Sequence, residues 1–297
     1  MQLVLVDVSH HVFEHPVDRP WRRPPLRLKV AYEDGRPVFT DVDGTTAPSP
    51  LDPPPAGRLA LCLAVPADAV DTIASAVLPL PAGFDLDDAA AFAFTYGTSH
   101  HALIDRGALR AGETVLVLGA AGGVGSAAVQ IAKAAGARVL AAVSSAEKAA
   151  FCTELGADMS IDLSHQGLRD ALKAAQISPD VIYDPVGGDL SEAAFRSIAW
   201  RGRHLVVGFA AGPIPSLPLN LTLLKGASIV GVFWGDFARR EPKAFQQGLA
   251  QLFDWYGKGA VKPAIDTRLP MTALPEAYER MASRRVHGKL LLVNHPL

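Results

Sequence analysis

From residue 111 onward, short apolar runs alternate with stretches of helical periodicity. Thr114-Val115-Leu116-Val117-Leu118 is almost wholly apolar and runs into glycines, the pattern of a parallel strand buried on both faces. Residues 124–135, rich in Ala, predict a helix that stops at Gly136. Residues 138–143 predict a second strand. Ser144-Ser145-Ala146-Glu147 has capping-box spacing, with Ser144 as the cap, and opens a helix ending at Gly156. Further strands are predicted over 159–162, 180–184, 203–207 and 228–233, with a helix over 167–175. Such a regular β-α-β series implies a parallel sheet covered by helices on both faces. Beyond it, Phe245, Leu249, Leu252, Phe253 and Tyr256 fall at helical spacing within 242–258, a core-facing stripe expected to pack on the sheet. The tail reads as an extended segment (264–269), a helix (273–283) and a last strand (289–293).

Residues 1–60 have another character. Pro and Arg crowd Arg19-Pro20-Trp21-Arg22-Arg23-Pro24-Pro25, and Pro recurs over 48–55. One hairpin is legible: strands at 28–32 and 37–39 about a turn at Asp34-Gly35. No repeating period and no internal repeat is found.

Composition narrows the class. The 297 residues suffice for about two domains. Apolar residues make up 49% and charged residues 20%, ordinary for a globular protein. A net charge of −2 offers no basic surface for nucleic acid or anionic lipid. No run reaches the ~18 apolar residues of a membrane span. The first seven residues lack a basic start and a cleavage site, so no signal peptide is expected. Two cysteines, Cys62 and Cys152, cannot make a four-ligand structural zinc site. With free thiols and no export signal, a cytoplasmic location is expected.

The chemistry is carried by Gly119-Ala120-Ala121-Gly122-Gly123-Val124-Gly125, between the first strand and its helix. A pyrophosphate needs backbone N–H groups at close range and the positive end of a helix dipole. Glycine is required where side chains would block that approach. The dinucleotide pattern G-x-G-x-x-G aligns with Ala120 to Gly125, with Ala at its first position. Gly122, Gly123, Val124 and Gly125 are therefore candidate cofactor contacts. An NAD site wants Asp or Glu at the end of the second strand to hold the ribose 2′-hydroxyl. Here the strand ends Val143-Ser144-Ser145, and Lys148 follows as a point charge for a 2′-phosphate. Ser144 and Lys148 thus point to NADPH.

Three other patterns carry less. His11-Val12-Phe13-Glu14-His15 spells a zinc-peptidase motif, but Pro16 disfavours the helix it needs. Asp43-Gly44, in a run like a phosphatase nucleophile loop, reads as a plain turn. His100-His101 lacks an acidic or cysteine partner at metal spacing and reads as helix-face histidine.

The run 112–125, with Leu155-Gly156-Ala157-Asp158, Tyr183-Asp184-Pro185-Val186-Gly187-Gly188 and Val207-Gly208-Phe209-Ala210, resembles the zinc-independent quinone oxidoreductases of the medium-chain dehydrogenase/reductase superfamily. The resemblance runs from about residue 63 to 293. It takes in Phe94-Thr95-Tyr96-Gly97-Thr98, Gly231-Val232-Phe233-Trp234-Gly235 and Arg284-Arg285-Val286-His287-Gly288-Lys289.

It implies an α/β fold in which a Rossmann doubly wound parallel sheet is inserted in a GroES-like β-barrel domain. Residues 1–94 would be the barrel's first part, 95–260 the NADPH-binding domain, and 261–297 the return to the substrate domain. Thr95, Gly208, Phe209 and Phe233 would surround the nicotinamide, and the Asp184-Pro185 turn would line the cofactor groove. The implied reaction is zinc-free hydride transfer from NADPH to a quinone or α,β-unsaturated carbonyl, and the implied assembly is a homodimer. No proton donor is assigned; Tyr96 is nearest by sequence. Residues 1–60 lack the family's G-x-E and G-D-R-V elements. They read as a foreign or shifted frame, or a strongly diverged replacement, so that the barrel is incomplete. The alternative is an NADPH-binding relative without turnover.

Overall fold

The computed structural model describes residues 3–7, 28–33, 36–41, 62–66, 77–270 and 273–293. The chain divides into two units, Met1–Phe94 and Thr95–Leu297. The first contains β1 (Leu3–Asp7), β2 (Leu28–Glu33), β3 (Arg36–Asp41), β4 (Cys62–Pro66) and β5 (Val77–Pro79). β1 is the centre of a three-stranded antiparallel sheet, between β4 and β5. β2 and β3 pair antiparallel as expected, with Glu33 opposite Arg36; the turn expected at Asp34-Gly35 lies outside the described residues. The motif at residues 11–15, the turn at Asp43-Gly44 and the Pro-dense stretches 19–25 and 48–55 lie outside the described residues. Helix α1 (Leu86–His100) is capped by Asp85, whose Oδ1 accepts from Asp88 N at 3.0 Å. It continues into a π-helical turn, His101–Arg106, an extension the periodicity did not announce.

The second unit follows the alternating pattern: β6 (Thr114–Leu118), α2 (Gly123–Ala134), β7 (Arg138–Val143), α3 (Ala146–Glu154), β8 (Met159–Asp162) and α4 (Leu168–Ala174). Then come β9 (Val181–Asp184), α5 (Asp189–Ser197), β10 (Arg203–Val206), α6 (Asn220–Lys225) and β11 (Ser228–Gly231). The six strands are parallel, in the order β11-β10-β9-β6-β7-β8. This is the doubly wound order, and it reverses between β6 and β9, where such folds bind ligands. One core layer gathers Leu116, Leu118, Leu140, Ile161 and Ile182 with Leu172 and Phe195, all buried. That apolar surface explains why the strand runs read as continuous rather than alternating.

The cap of α3 is a correction. Ser145, not Ser144, is the N-cap: its backbone is extended (φ −162, ψ 159) and its side chain accepts from Lys148 N. The helix begins one residue later than the capping-box spacing implied, which leaves Ser144 exposed at the end of β7. The tail holds α7 (Trp234–Arg240), α8 (Pro242–Gly257), β12 (Ile265–Pro270), α9 (Leu274–Ala282) and β13 (Lys289–Val293). The apolar stripe of α8 meets α7 through Phe245, which lies edge-on to Trp234 and Phe237. β12 and β13 pair parallel with each other. Among the described residues, no helix is long and apolar enough to cross a membrane.

Candidate cofactor site

The strand ends nearest the order reversal are built from backbone. Gly119 closes β6 in the left-handed region (φ +61), where a side chain is strained. Gly122 caps α2 without a side chain, and its N–H donates to Gly119 O at 3.0 Å. At Gly125 an added Cβ would run into the Gly119 carbonyl oxygen and lie 2.8 Å from Ala120 Cα. Only glycine there lets α2 close against β6. At Gly123 a Cβ would come within 2.9 Å of Lys289 Cδ and 3.4 Å of Thr95 Cγ2. Thr95 and Lys289 therefore flank the first turn of α2. Val124 follows, its carbonyl accepting from Ser99 Oγ at 2.9 Å. The first amides of α2 have no partner within the helix and suit an anion. The turn fits a pyrophosphate because its glycines leave the helix-start amides uncovered by side chains, while Gly125 lets α2 sit close against β6.

The corner after β7 is built from side chains. Lys148 Nζ lies 3.2 Å from Ser144 Oγ and donates to the Arg284 carbonyl at 2.8 Å. The second contact brings Arg284-Arg285 to this corner, with His287 stacked on Phe151 at 5.3 Å. The sequence pointed to Ser144 and Lys148, and marked 284–289 only as part of the family resemblance, not as a part of this corner. No local pattern joins residues 136 positions apart; the Arg284-Arg285 pair itself was the only signal.

Asp184 ends β9 in register with Val206, and Val206 with Gly231. Gly208, Phe209 and Phe233 thus stand just past the ends of neighbouring strands. Phe209 packs where a Gly187 Cβ would be, 2.9 Å from its Cδ1. Phe233 is 65% exposed. Asp184 is buried and faces inward: its Oδ1 accepts from Val186 N and Gly187 N, both at 2.9 Å. Its Oδ2 accepts from Ser191 Oγ and lies 3.0 Å from His204 Nε2. Burial works against the charged carboxylate. The hydrogen bonds from His204, Gly187 and Ser191 outweigh it and hold the group below the ordinary carboxylate range.

His100 and His101 sit at the end of α1 and the start of the π-helical turn, both buried. An acidic partner missed in the sequence is present: Asp105 Oδ2 lies 2.8 Å from His101 Nδ1, four residues on. His100 Nε2 meets Gln251 Oε1 at 2.7 Å. Burial lowers both imidazole pKa values. Among the described residues, no group of three or more His, Cys, Asp or Glu is placed to hold a metal ion. Tyr96 is buried within α1.

Comparison with known proteins then fixes the family. A family model described as zinc-binding dehydrogenase matches residues 123–255. A probable oxidoreductase from Mycobacterium abscessus is 30% identical, with a TM-score of 0.69 over 98% of this chain and 90% of that one. The quinone oxidoreductase-like protein 2 of Mus musculus is 36% identical over 216 residues. This chain belongs to the quinone oxidoreductase family of the medium-chain dehydrogenase/reductase superfamily. The family's Thermus thermophilus quinone oxidoreductase, solved alone and with NADPH, is 29% identical with a TM-score of 0.68, covering 98% of this chain and 91% of that one. The match to the mouse protein takes in 72% of this chain but only 62% of the relative's length.

Proposed function

We propose that this chain binds NADPH across the ends of β7, β6, β9, β10 and β11 and reduces a quinone or an α,β-unsaturated carbonyl without zinc. The observation that carries this reading is the pairing of two features at the strand-order reversal. One is a glycine cradle whose Cβ positions are closed. The other is a β7 corner with Lys148 and Ser144 in contact and no carboxylate at the strand end.

Gly122, Gly123, Val124 and Gly125 would hold the pyrophosphate through amides and the α2 dipole. Ser144 and Lys148 would take the 2′-phosphate, with the Arg284-Arg285 segment completing the corner. Thr95, Gly208, Phe209 and Phe233 would shape the nicotinamide end, with the turn after Asp184 between. NADPH, when bound, supplies a hydride to an electrophilic carbon. The protein's part is to orient that carbon and exclude water.

The test is a fluorescence titration with NADPH and NADH, followed by NADPH consumption against a panel of quinones and enones. Tighter NADPH binding with turnover is expected. Equal affinity for the two cofactors would remove the Lys148 argument. Binding without turnover would select the reading of a non-catalytic NADPH-binding relative.

A homodimer joined along β11 belongs to the same reading. β11 is the edge of the sheet, its Ser228, Ile229 and Gly231 are exposed, and Leu223 and Leu224 stand exposed just before it. Such an edge is a template for pairing with a second copy. A monomeric mass in sedimentation at micromolar concentration would exclude it.

A further inference from the structure

Asp184, Ser191 and His204 form a buried polar cluster in the second unit. His204 is 1% exposed and Asp184 3%. His204 lies in β10, beside the Phe195 ring of α5 at 5.7 Å, a position where an aliphatic side chain would pack without a polar atom. Its Nδ1 has no hydrogen-bond partner among the described residues. Among the described residues its one side-chain polar link is Nε2 to Asp184 Oδ2, at 3.0 Å. An ionised carboxylate has only acceptors, so Nε2 carries the proton and donates. A buried imidazole with one nitrogen unpartnered is costly, and only the bond to Asp184 offsets that cost.

We infer that His204 is a positioning residue for the cofactor site, acting through Asp184 on the turn of residues 184–188. This rests on the NADPH reading above. Two donors, His204 Nε2 and Ser191 Oγ, fix Oδ2. That leaves Oδ1 oriented to take the Val186 and Gly187 amides. The two residues so held are the ones that touch the rest of the site. Val186 Cγ2 is 2.9 Å from where a Gly119 Cβ would be, and Gly187 stands against Phe209. The same turn is stitched to the Phe209 loop by Ala210 N to Pro185 O at 3.0 Å and Ala211 N to Val186 O at 2.8 Å. A carboxylate free to rotate would release both amides at once. The glycine cradle and the nicotinamide end would then lose the element that spaces them.

The experiment compares His204→Leu, which removes the donor, with His204→Gln, whose side-chain amide nitrogen can stand near the Nε2 position. Hydrogen exchange on the cofactor-free protein is the first readout. In His204→Leu the Val186 and Gly187 amides should exchange about tenfold faster or more, the loss expected of a charge-assisted hydrogen bond. The Val139 amide, at the other end of the sheet, should not change. His204→Gln should restore most of the protection. The second readout is NADPH affinity, which should fall about tenfold in His204→Leu and recover in His204→Gln. Ser191→Ala, a smaller change, should loosen the same two amides to a lesser degree and keeps the test available if His204→Leu does not fold.

Parent-like exchange at 186 and 187 in both His204→Leu and Ser191→Ala overturns the inference. So does faster exchange that includes Val139, or failure of His204→Gln to recover. If the exchange pattern holds but the parent protein binds no NADPH, the link from His204 to the turn stands and the cofactor reading falls.

Discussion

The two ends of the parallel sheet are built from different materials. At the N-terminal ends of the strands, charges close the edge. Arg203 forks onto Glu113 with contacts of 2.7 and 2.8 Å. Asp180 Oδ2 accepts from Thr114 N at 2.8 Å, and Asp158 takes both Val139 N at 2.7 Å and Lys133 at 2.9 Å. Carboxylates thus tie the entry of β6 to that of β9, the entry of β7 to that of β8, and Arg203 at the start of β10 to Glu113 just before β6. At the C-terminal ends the chain uses glycine and backbone amides, and its buried carboxylate, Asp184, is turned inward. One edge spends its polar groups on itself, and the other leaves helix-start amides and Lys148 for something else. That asymmetry is what a parallel α/β sheet with a ligand at its strand ends requires. Substitutions at the first edge should change stability, and those at the second should change binding.

Gly125 is where that division should fail most strongly, because this glycine serves the fold as well. Gly125→Val puts side-chain carbon against the Gly119 carbonyl and Ala120 backbone, which cannot swing aside. Overpacking of this kind costs about 1–3 kcal/mol, and backbone obstruction places it at the upper end. Thermal unfolding should show a clear fall together with loss of NADPH binding. A variant as stable as the parent would mean that α2 does not close on β6 in this way.

Gly123→Val separates the two roles. Its nearest obstacle is the flexible Lys289 side chain, so the fold should survive. The new side chain would still occupy the pyrophosphate's approach. NADPH and NADH should both weaken at least about tenfold, the scale of one lost charge-assisted contact. Normal titration of either cofactor by a folded Gly123→Val protein would show that the cradle has been misassigned.

The corner after β7 should respond to only one cofactor. Lys148→Ala removes the ammonium beside Ser144, and NADPH affinity should drop about tenfold while NADH is unchanged. Arg284, anchored to Lys148 through its carbonyl, should keep part of the preference. Equal losses for both cofactors would move Lys148 out of a 2′-phosphate role.

How much of this was legible follows from range. Gly119 to Gly125 is local: directly after a strand, a turn and a helix start fall within seven residues, with a composition that allows little else. The strand series was readable for the same reason, since buried parallel strands are short unbroken apolar runs. Ser144 and Ser145 both suit a cap, and spacing to Glu147 favoured the wrong one. The extended backbone and the bond to Lys148 N decided for Ser145, and neither is visible in one dimension. Asp105, Arg284 and His204 were missed for a different reason. Asp105 follows His101 by four, a spacing made meaningful only once that stretch is seen to be helical. Arg284 and His204 act on partners far along the chain, and nothing local marks His204 within the strand predicted over 203–207. Residues 1–60 yielded a single hairpin, because only there does an Asp-Gly turn sit between two β-rich runs.

The smallest expected effect tests the closed edge. The Arg203 and Glu113 side chains are 19% and 22% exposed, so their pair lies between a buried and a surface ion pair. Arg203→Met should cost about 1–2 kcal/mol at neutral pH. Part of that loss should depend on pH. The hydrogen bonds from Arg203 are the leading cause holding the Glu113 carboxyl below its ordinary range, with burial opposing them. A carboxyl depressed in the folded state binds its proton less readily there than in the unfolded chain. Its stabilisation is fully present above the unfolded Glu value of about 4.3 and fades as pH falls through the lower folded value. The difference in unfolding free energy between parent and Arg203→Met should therefore be constant from pH 7 to 5 and shrink toward pH 3. It should not vanish, because Arg203 also donates to the carbonyls of Gly107 at 2.8 Å and Ala108 at 3.2 Å, which carry no proton to lose. Urea unfolding at three pH values measures this. A gap that stays constant to pH 3 would assign Arg203's contribution to those carbonyls alone, and a gap that widens in acid would contradict the pairing.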